Sequence, residues 1–220
     1  LWNKPKFNFN VIQFKVDNSV SSFSHLYEPL LKMREYIKEK GKSLSSKNSN
    51  KDYFRSTKCG KKVTDLTYLT SKFCLLTGNA GQGKTNFLCD FTENVLLKRH
   101  IPFAYVNGYE VDATDVENVF VKTICPSLDI SFSKMMDEVA KYCYAMRKPI
   151  VFIIDGLNEN PYPEHFAISL EKFLKRFLTF DFVKIIMTCR SEYFDENFSG
   201  LLNAFSDDMI IERDIYQHIH

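Results

Sequence analysis

Between residues 73 and 213, short, mainly apolar runs alternate with longer stretches in which apolar positions recur every three or four residues. Strands are predicted at 73–77, 102–106, 150–155, 183–189 and 208–213, the last of them apolar only over Met209–Ile211. Continuous apolar runs of this length, without polar alternation, mark strands buried on both faces, as in a parallel sheet. The stretches between them predict helices over 83–98, 114–124, 132–147 and 163–178. Phe87, Leu88, Phe91 and Val95 form the apolar face of the first helix; Met136, Val139, Cys143 and Met146 form the inward stripe of the third. Thr114 and Glu117 read as a capping box for the second. Strand and helix in alternation predict an α/β fold, a three-layer sandwich around a parallel sheet of about five strands with right-handed crossovers.

Upstream the rhythm changes. Polar and apolar residues alternate from Phe7 to Val16, with a slip at Val11 and Ile12 that predicts a bulged strand. A helix is predicted from about Ser24 to Lys40, with Leu30, Met33 and Ile37 on one face and Gly41 as its stop. Residues 41–51 (GKSLSSKNSNK) form a polar linker. Residues 1–52 are therefore read as an N-terminal extension and 53–220 as the core, C-terminally incomplete. A 220-residue chain with 45% hydrophobic residues can bury one sizeable core of this kind.

The first strand runs into Gly78–Thr85, GNAGQGKT, which meets the phosphate-loop pattern G-x-x-x-x-G-K-[ST] at every fixed position and lies between strand and helix as that pattern requires. A polyphosphate is held by successive backbone N–H groups aimed inward at the positive end of a helix dipole. Gly78, Gly81 and Gly83 clear the approach and allow positive φ, so that Gly78, Asn79, Ala80, Gly81, Gln82, Gly83, Lys84, Thr85 and Asn86 form the nucleotide-binding set. Lys84 reaches the β- and γ-phosphates and the Thr85 hydroxyl becomes a ligand of Mg2+. The competing reading is a glycine-rich turn with a solvated lysine.

A phosphate loop needs an acid from a neighbouring strand, and the run at 150–155 ends in Asp155. Asp155 is the candidate magnesium ligand, against a plain turn or capping role. Glu159 follows, placed to polarise an attacking water, with a solvated loop acid as the alternative. The strand at 183–189 ends in Thr188, Cys189 and Arg190. Arg190 either meets the γ-phosphate or pairs with an acid such as Glu192.

GNAGQGKT, FIIDGLNE and IIMTCRSEYF together resemble the nucleotide-binding core of the STAND class of P-loop NTPases, close to its NACHT branch, over residues 70–215. The resemblance implies an ATP-dependent switch of the innate-immunity or antiphage-defence type, hydrolysing slowly, whose nucleotide state governs homo-oligomerisation. It also implies effector, winged-helix and sensor parts that are not evident between Leu1 and His220, so the chain is read as an excised core. Asn158 departs from the pattern, which usually has a second aspartate there. Similarity to the additional-strand class of P-loop ATPases implies the strand order 5-1-4-3-2.

Charge and cysteines narrow the setting. A net charge of +2 with scattered lysines does not indicate nucleic acid; Lys172, Lys175 and Arg176 share a helix and read as a solvated face. Six cysteines without C-x-x-C spacing read as free thiols in a reducing, cytoplasmic compartment, and no zinc site or membrane span is expected. No N-K-x-D sequence follows Gly83, which favours adenine over guanine. Three further functions remain: a small-molecule P-loop kinase, disfavoured because 191–206 carries no lysine or arginine for a lid; a nucleotide-binding scaffold without turnover; and an AAA+ DNA-associated ATPase.

Overall fold

A computed structural model describes residues 72–97, 99–125 and 129–213. The strand, helix and linker expected within 1–52, and the boundary at 52/53, lie outside the described residues.

Five parallel strands form one sheet: β1 (Phe73–Thr77), β2 (Phe103–Asn107), β3 (Ile150–Asp155), β4 (Val183–Cys189) and β5 (Met209–Arg213). Their order is β2-β3-β4-β1-β5, the expected 5-1-4-3-2 read from the other edge. Every residue of β1 to β4 is buried, which is why none of these strands shows polar alternation. β3 and β4 fall where the apolar runs placed them; β2 begins one residue late because Pro102 lacks the N–H that a ladder uses.

The sheet separates two apolar layers. Cys74, Leu76, Phe103, Val151, Ile153 and Ile186 pack with Phe87, Leu88, Phe91, Val95 and Leu96, which descend from α1 (Lys84–Phe91) and its continuation. The opposite face carries α2 (Val116–Ile124), α3 (Phe132–Met146) and α4 (Pro163–Phe177), together with the short α5 (Ser191–Asn197) and α6 (Gly200–Ala204). Aromatic rings dominate that layer. Phe120 meets Phe152 edge-on at 4.6 Å, and Phe173 meets Phe177 at 4.6 Å; such pairs add about 0.5–1.5 kcal/mol each beyond area burial.

Four expectations change. The helix predicted over 83–98 starts at Lys84 and widens into a π-helix over Thr92–Leu97, where the Thr92 hydroxyl donates to the Leu88 carbonyl and competes with the helical ladder. The α2 cap is Asp115, whose carboxylate accepts from the Asn118 N–H at 3.2 Å, while Thr114 donates to Asp112 instead of forming a capping box. On α3 the inward stripe runs through Met135, Met136, Val139 and Cys143, and Met146 is only half-buried at the last turn. Arg176 is not part of a solvated face. Its guanidinium lies 5.1 Å over the Phe132 ring, pairs with Glu117 at 2.5 Å and donates to Ser133 at 2.6 Å, joining α4 to α2 and α3. Lys175 does follow the solvated reading, paired with Glu171 one turn back.

Helices α5 and α6 were not foreseen. Phe194, Phe198, Leu201 and Phe205 do carry helical spacing, and all are buried, but the break before Gly200 leaves two segments too short to stand out. The described cysteines, at 74, 89, 125, 143 and 189, are free and buried. Burial pushes the Cys125 thiol up to about 11 and that of Cys189 to about 12. No helix among the described residues is long and apolar enough to cross a membrane.

Candidate functional site

The loop after β1 turns on two glycines. Gly81 (φ 77°) and Gly83 (φ 70°) occupy the left-handed region, whereas Gly78 does not, so two of the three glycines supply the positive φ expected of all three. A methyl at Gly81 would meet nothing within 4 Å, so the demand there is on backbone conformation alone. Gly83 precedes α1 without any side-chain cap, which leaves the first N–H groups of that helix directed at the loop, as anion binding requires. Lys84 folds back along the loop, donating to the Gly78 carbonyl at 2.7 Å and the Asn79 carbonyl at 2.9 Å. Gln82 accepts from the Asn79 N–H at 2.8 Å and braces the turn. Asn79 and Ala80 are exposed, Thr85 half-buried, and Asn86 belongs to the first turn of α1.

Asp155 ends β3 almost wholly buried. Asn107 is its register partner on β2, and it shares the α1 face of the sheet with Tyr105 of β2 and Thr188 of β4. The Tyr105 hydroxyl donates to Asp155 Oδ2 at 2.8 Å; the Thr188 hydroxyl donates to Oδ1 and accepts from the Gly156 N–H at 2.7 Å. Burial first, then the Asp155 charge, holds the Tyr105 phenol well above its ordinary range, so this group is a hydrogen-bond donor at any working pH. Tyr105 escaped the sequence reading because its strand resembles any other apolar run. Its signal was a tyrosine in a fully buried strand, whose hydroxyl needs a partner.

Beyond the strand tips, two loops lock together. Gly108 follows β2 and Gly156 (φ 76°) follows β3, and they approach so closely that a methyl on Gly108 would sit 2.1 Å from the Gly156 carbonyl oxygen. Asn160, buried, donates through Nδ2 to the carbonyls of Gly108 at 2.9 Å and Val111 at 2.8 Å. Between these anchors Glu159, an exposed residue, folds its carboxyl group back over Gly156. Loss of hydration, then the Asp155 charge, raises the Glu159 carboxyl above the usual range, and Arg190 opposes the shift. Arg190, exposed at the end of β4, thus has Glu159 as an electrostatic neighbour. Its backbone N–H donates to Asn158 Oδ1 at 3.1 Å. Asn158 therefore ties the β3 loop to the β4 tip through its amide oxygen, a task that needs no second acid.

The structure brings Asp155, Glu159 and Arg190 into one electrostatic neighbourhood, and β4 lies directly between β3 and β1, which carries the loop with Lys84 and Thr85. The Lys84 charge is felt at Cys189, on the tip of β4. Asp155 and Thr85 are hard oxygen donors. Magnesium fits such a pair, since it takes one or two protein oxygens and completes its shell with phosphate and water. Among the described residues no cluster of three or more His, Cys, Asp and Glu side chains could hold a metal ion.

A parallel sheet in this order, with a glycine loop leading from β1 into α1 and an acid ending β3, is the α/β fold of P-loop NTPases. No family model and no curated protein matches the chain. Solved structures are similar to it. One chain in a structure of Drosophila ORC bound to AT-rich DNA and Cdc6 has a TM-score of 0.51 at 14% identity, over 76% of this chain and 56% of that one. One chain in a structure of Drosophila ORC bound to poly(dA/dT) DNA and Cdc6 has a TM-score of 0.50 at 10% identity, over 86% of this chain and 32% of that one. Likeness at these identities is a likeness of fold, and this chain spans only 56% and 32% of those two chains.

Proposed function

We propose that this chain binds ATP with magnesium and hydrolyses it slowly, as a nucleotide-controlled switch whose state governs assembly with further copies. The observation that carries the reading is the adjacency of three strand tips: β1 with its glycine loop, β4 with Arg190, and β3 with Asp155 and Glu159. In this reading residues 78–86 wrap the phosphates, and Lys84 neutralises the β- and γ-phosphates. Thr85 and Asp155 would hold the magnesium, which offsets phosphate charge. Glu159 orients and polarises the attacking water, and its raised carboxyl suits a base. Arg190 offsets charge on the γ-phosphate. The free buried thiols support a reducing, cytoplasmic setting.

The test is thermal unfolding with and without Mg-ATP. A ligand at a hundredfold over its dissociation constant stabilises the folded form by about 2.7 kcal/mol, or about 5–11 °C at ~2–4 °C per kcal/mol for a domain of this size. Lys84→Ala should abolish the shift. A wild-type chain whose melting is indifferent to Mg-ATP sinks the proposal.

Two settings compete for such a module. The motifs at 78–85, 152–159 and 185–194 support a STAND or NACHT-like defence switch; the likeness to chains in structures of Drosophila ORC bound to DNA and Cdc6 supports an AAA+ DNA-associated ATPase at least as well. Fluorescence anisotropy with an AT-rich duplex separates them. ATP-dependent, salt-sensitive binding by this chain supports the DNA-associated setting, while ATP-driven self-association that ignores DNA supports the defence switch.

A further inference from the structure

We propose that Tyr105 is a positioning residue for the metal-binding acid: its phenol, reaching across from β2, fixes the Asp155 carboxylate in the rotamer that takes up magnesium. The inference rests on the ATP–magnesium reading of the site and extends it to a residue on a strand that carries none of the three motifs.

The geometry is specific. Tyr105 stands in register with Ile153, two residues before Asp155, so its ring runs diagonally along the sheet and delivers the hydroxyl to Oδ2 at 2.8 Å. Thr188 donates to the other oxygen from the opposite flank. A carboxylate has about four lone-pair sites on two oxygens. One hydroxyl on each oxygen fixes the carboxyl plane and leaves a lone pair on each for a cation. Thr188 alone would leave that plane free to rotate about one hydrogen bond.

Tyr105 is itself held. Asn107 Oδ1 lies 3.2 Å from the phenol oxygen. Asn107 Nδ2 donates to Glu110 at 3.3 Å, and the Asn107 N–H donates to the same carboxylate oxygen at 3.1 Å. With the Asn107 amide engaged by Glu110, its oxygen is turned toward the phenol. Asn107 and Asp155 both offer only acceptor oxygens to the phenol, and the hydroxyl has one proton. The shorter contact, 2.8 Å against 3.2 Å, assigns that proton to Asp155. The ring is 1% exposed among apolar neighbours, so removing the oxygen leaves its packing in place.

Partners that orient a metal ligand typically change metal affinity by about 10–100-fold when removed. The test is Tyr105→Phe in the 220-residue chain, read in two ways besides turnover. Free Mn2+ is titrated by electron paramagnetic resonance in the presence of a non-hydrolysable ATP analogue, and binding of the same analogue is measured in EDTA. The expected result is a rise of about tenfold in the Mn2+ dissociation constant, with metal-free nucleotide affinity unchanged. A chain carrying 4-aminophenylalanine at position 105, which keeps a donor, should restore the metal affinity.

Unchanged Mn2+ affinity in Tyr105→Phe overturns the inference. So does an equal loss of metal-free nucleotide binding, or a Tyr105→Phe chain that does not fold, since each assigns the hydroxyl to general structure. Failure of the wild-type chain to bind Mn2+ with the nucleotide is a different outcome, which removes the reading of the site itself.

Discussion

Gly108→Ala is the sharpest test of how the two loops at the sheet edge are held. The added methyl would lie 2.1 Å from the Gly156 carbonyl oxygen, 2.8 Å from its carbonyl carbon and 3.3 Å from Leu157 Cα. All three atoms are backbone, so no side chain can rotate away. Ordinary C···O approach is about 3.3–3.6 Å, so the loops must part by more than ~1 Å, against two Asn160 hydrogen bonds that clamp them together. Overpacking costs about 1–3 kcal/mol, and an immovable neighbour sets the upper end. About 3 kcal/mol corresponds to a fall of about 6–12 °C in Tm for a domain of this size. Gly200→Ala is the control, because a methyl there meets nothing within 4 Å and Gly200 has no positive φ; its Tm should stay or rise slightly. The assay is thermal unfolding by circular dichroism for both variants. A Gly108→Ala chain melting within ~2 °C of wild type would refute the close approach, and with it the account of how Glu159 is held, since displacements of about 1 Å at a reacting group can cost ~10²-fold in rate.

Glu159→Gln should keep the Mg-ATP shift in Tm and lose phosphate release by about 10²–10⁴-fold; undiminished release would strike Glu159 from the catalytic set and favour another base. Because the Glu159 carboxyl is raised, its basic form is lost on acidification at a higher pH than for an ordinary glutamate. The acid limb of kcat/KM should therefore lie above the ordinary glutamate range, and a limb within or below that range contradicts the assignment. Arg190→Ala should narrow the preference for ATP over ADP, measured by calorimetric titration, and an unaltered preference argues against contact with the γ-phosphate. Lys184, buried in β4 near Lys72, has its ammonium lowered to about 8 by burial first and by the Lys72 charge second. A depressed lysine destabilises the fold fully below its folded value and ceases to do so above its unfolded value of about 10.4. Lys184→Met should thus gain stability over wild type at pH 7, with the gain shrinking between pH 8 and 10; a difference independent of pH would show that the charge is not the cause.

The chain's own order of residues determined the fold class, the strand sequence along the chain and the position of the glycine loop, because these follow from local rules. Apolar runs such as IVFIID and VKIIMTC can be satisfied only by burial on both faces, and GNAGQGKT carries its backbone requirements within eight consecutive residues. Local pattern misled where partners compete at short range. Thr114 was the apparent cap of α2, but Asp112 takes its hydroxyl and Asp115 does the capping. The hydrogen bonds that hold the acid came from tertiary structure alone. Tyr105 and Asp155 are 50 residues apart, and only the pairing of β2 with β3 brings phenol to carboxylate. The Gly108–Gly156 contact and the passage of Arg176 across Phe132 to Glu117 depend in the same way on which elements become neighbours. Periodicity reports which face a residue turns inward, whereas the partner it meets there is set by strand order and loop approach.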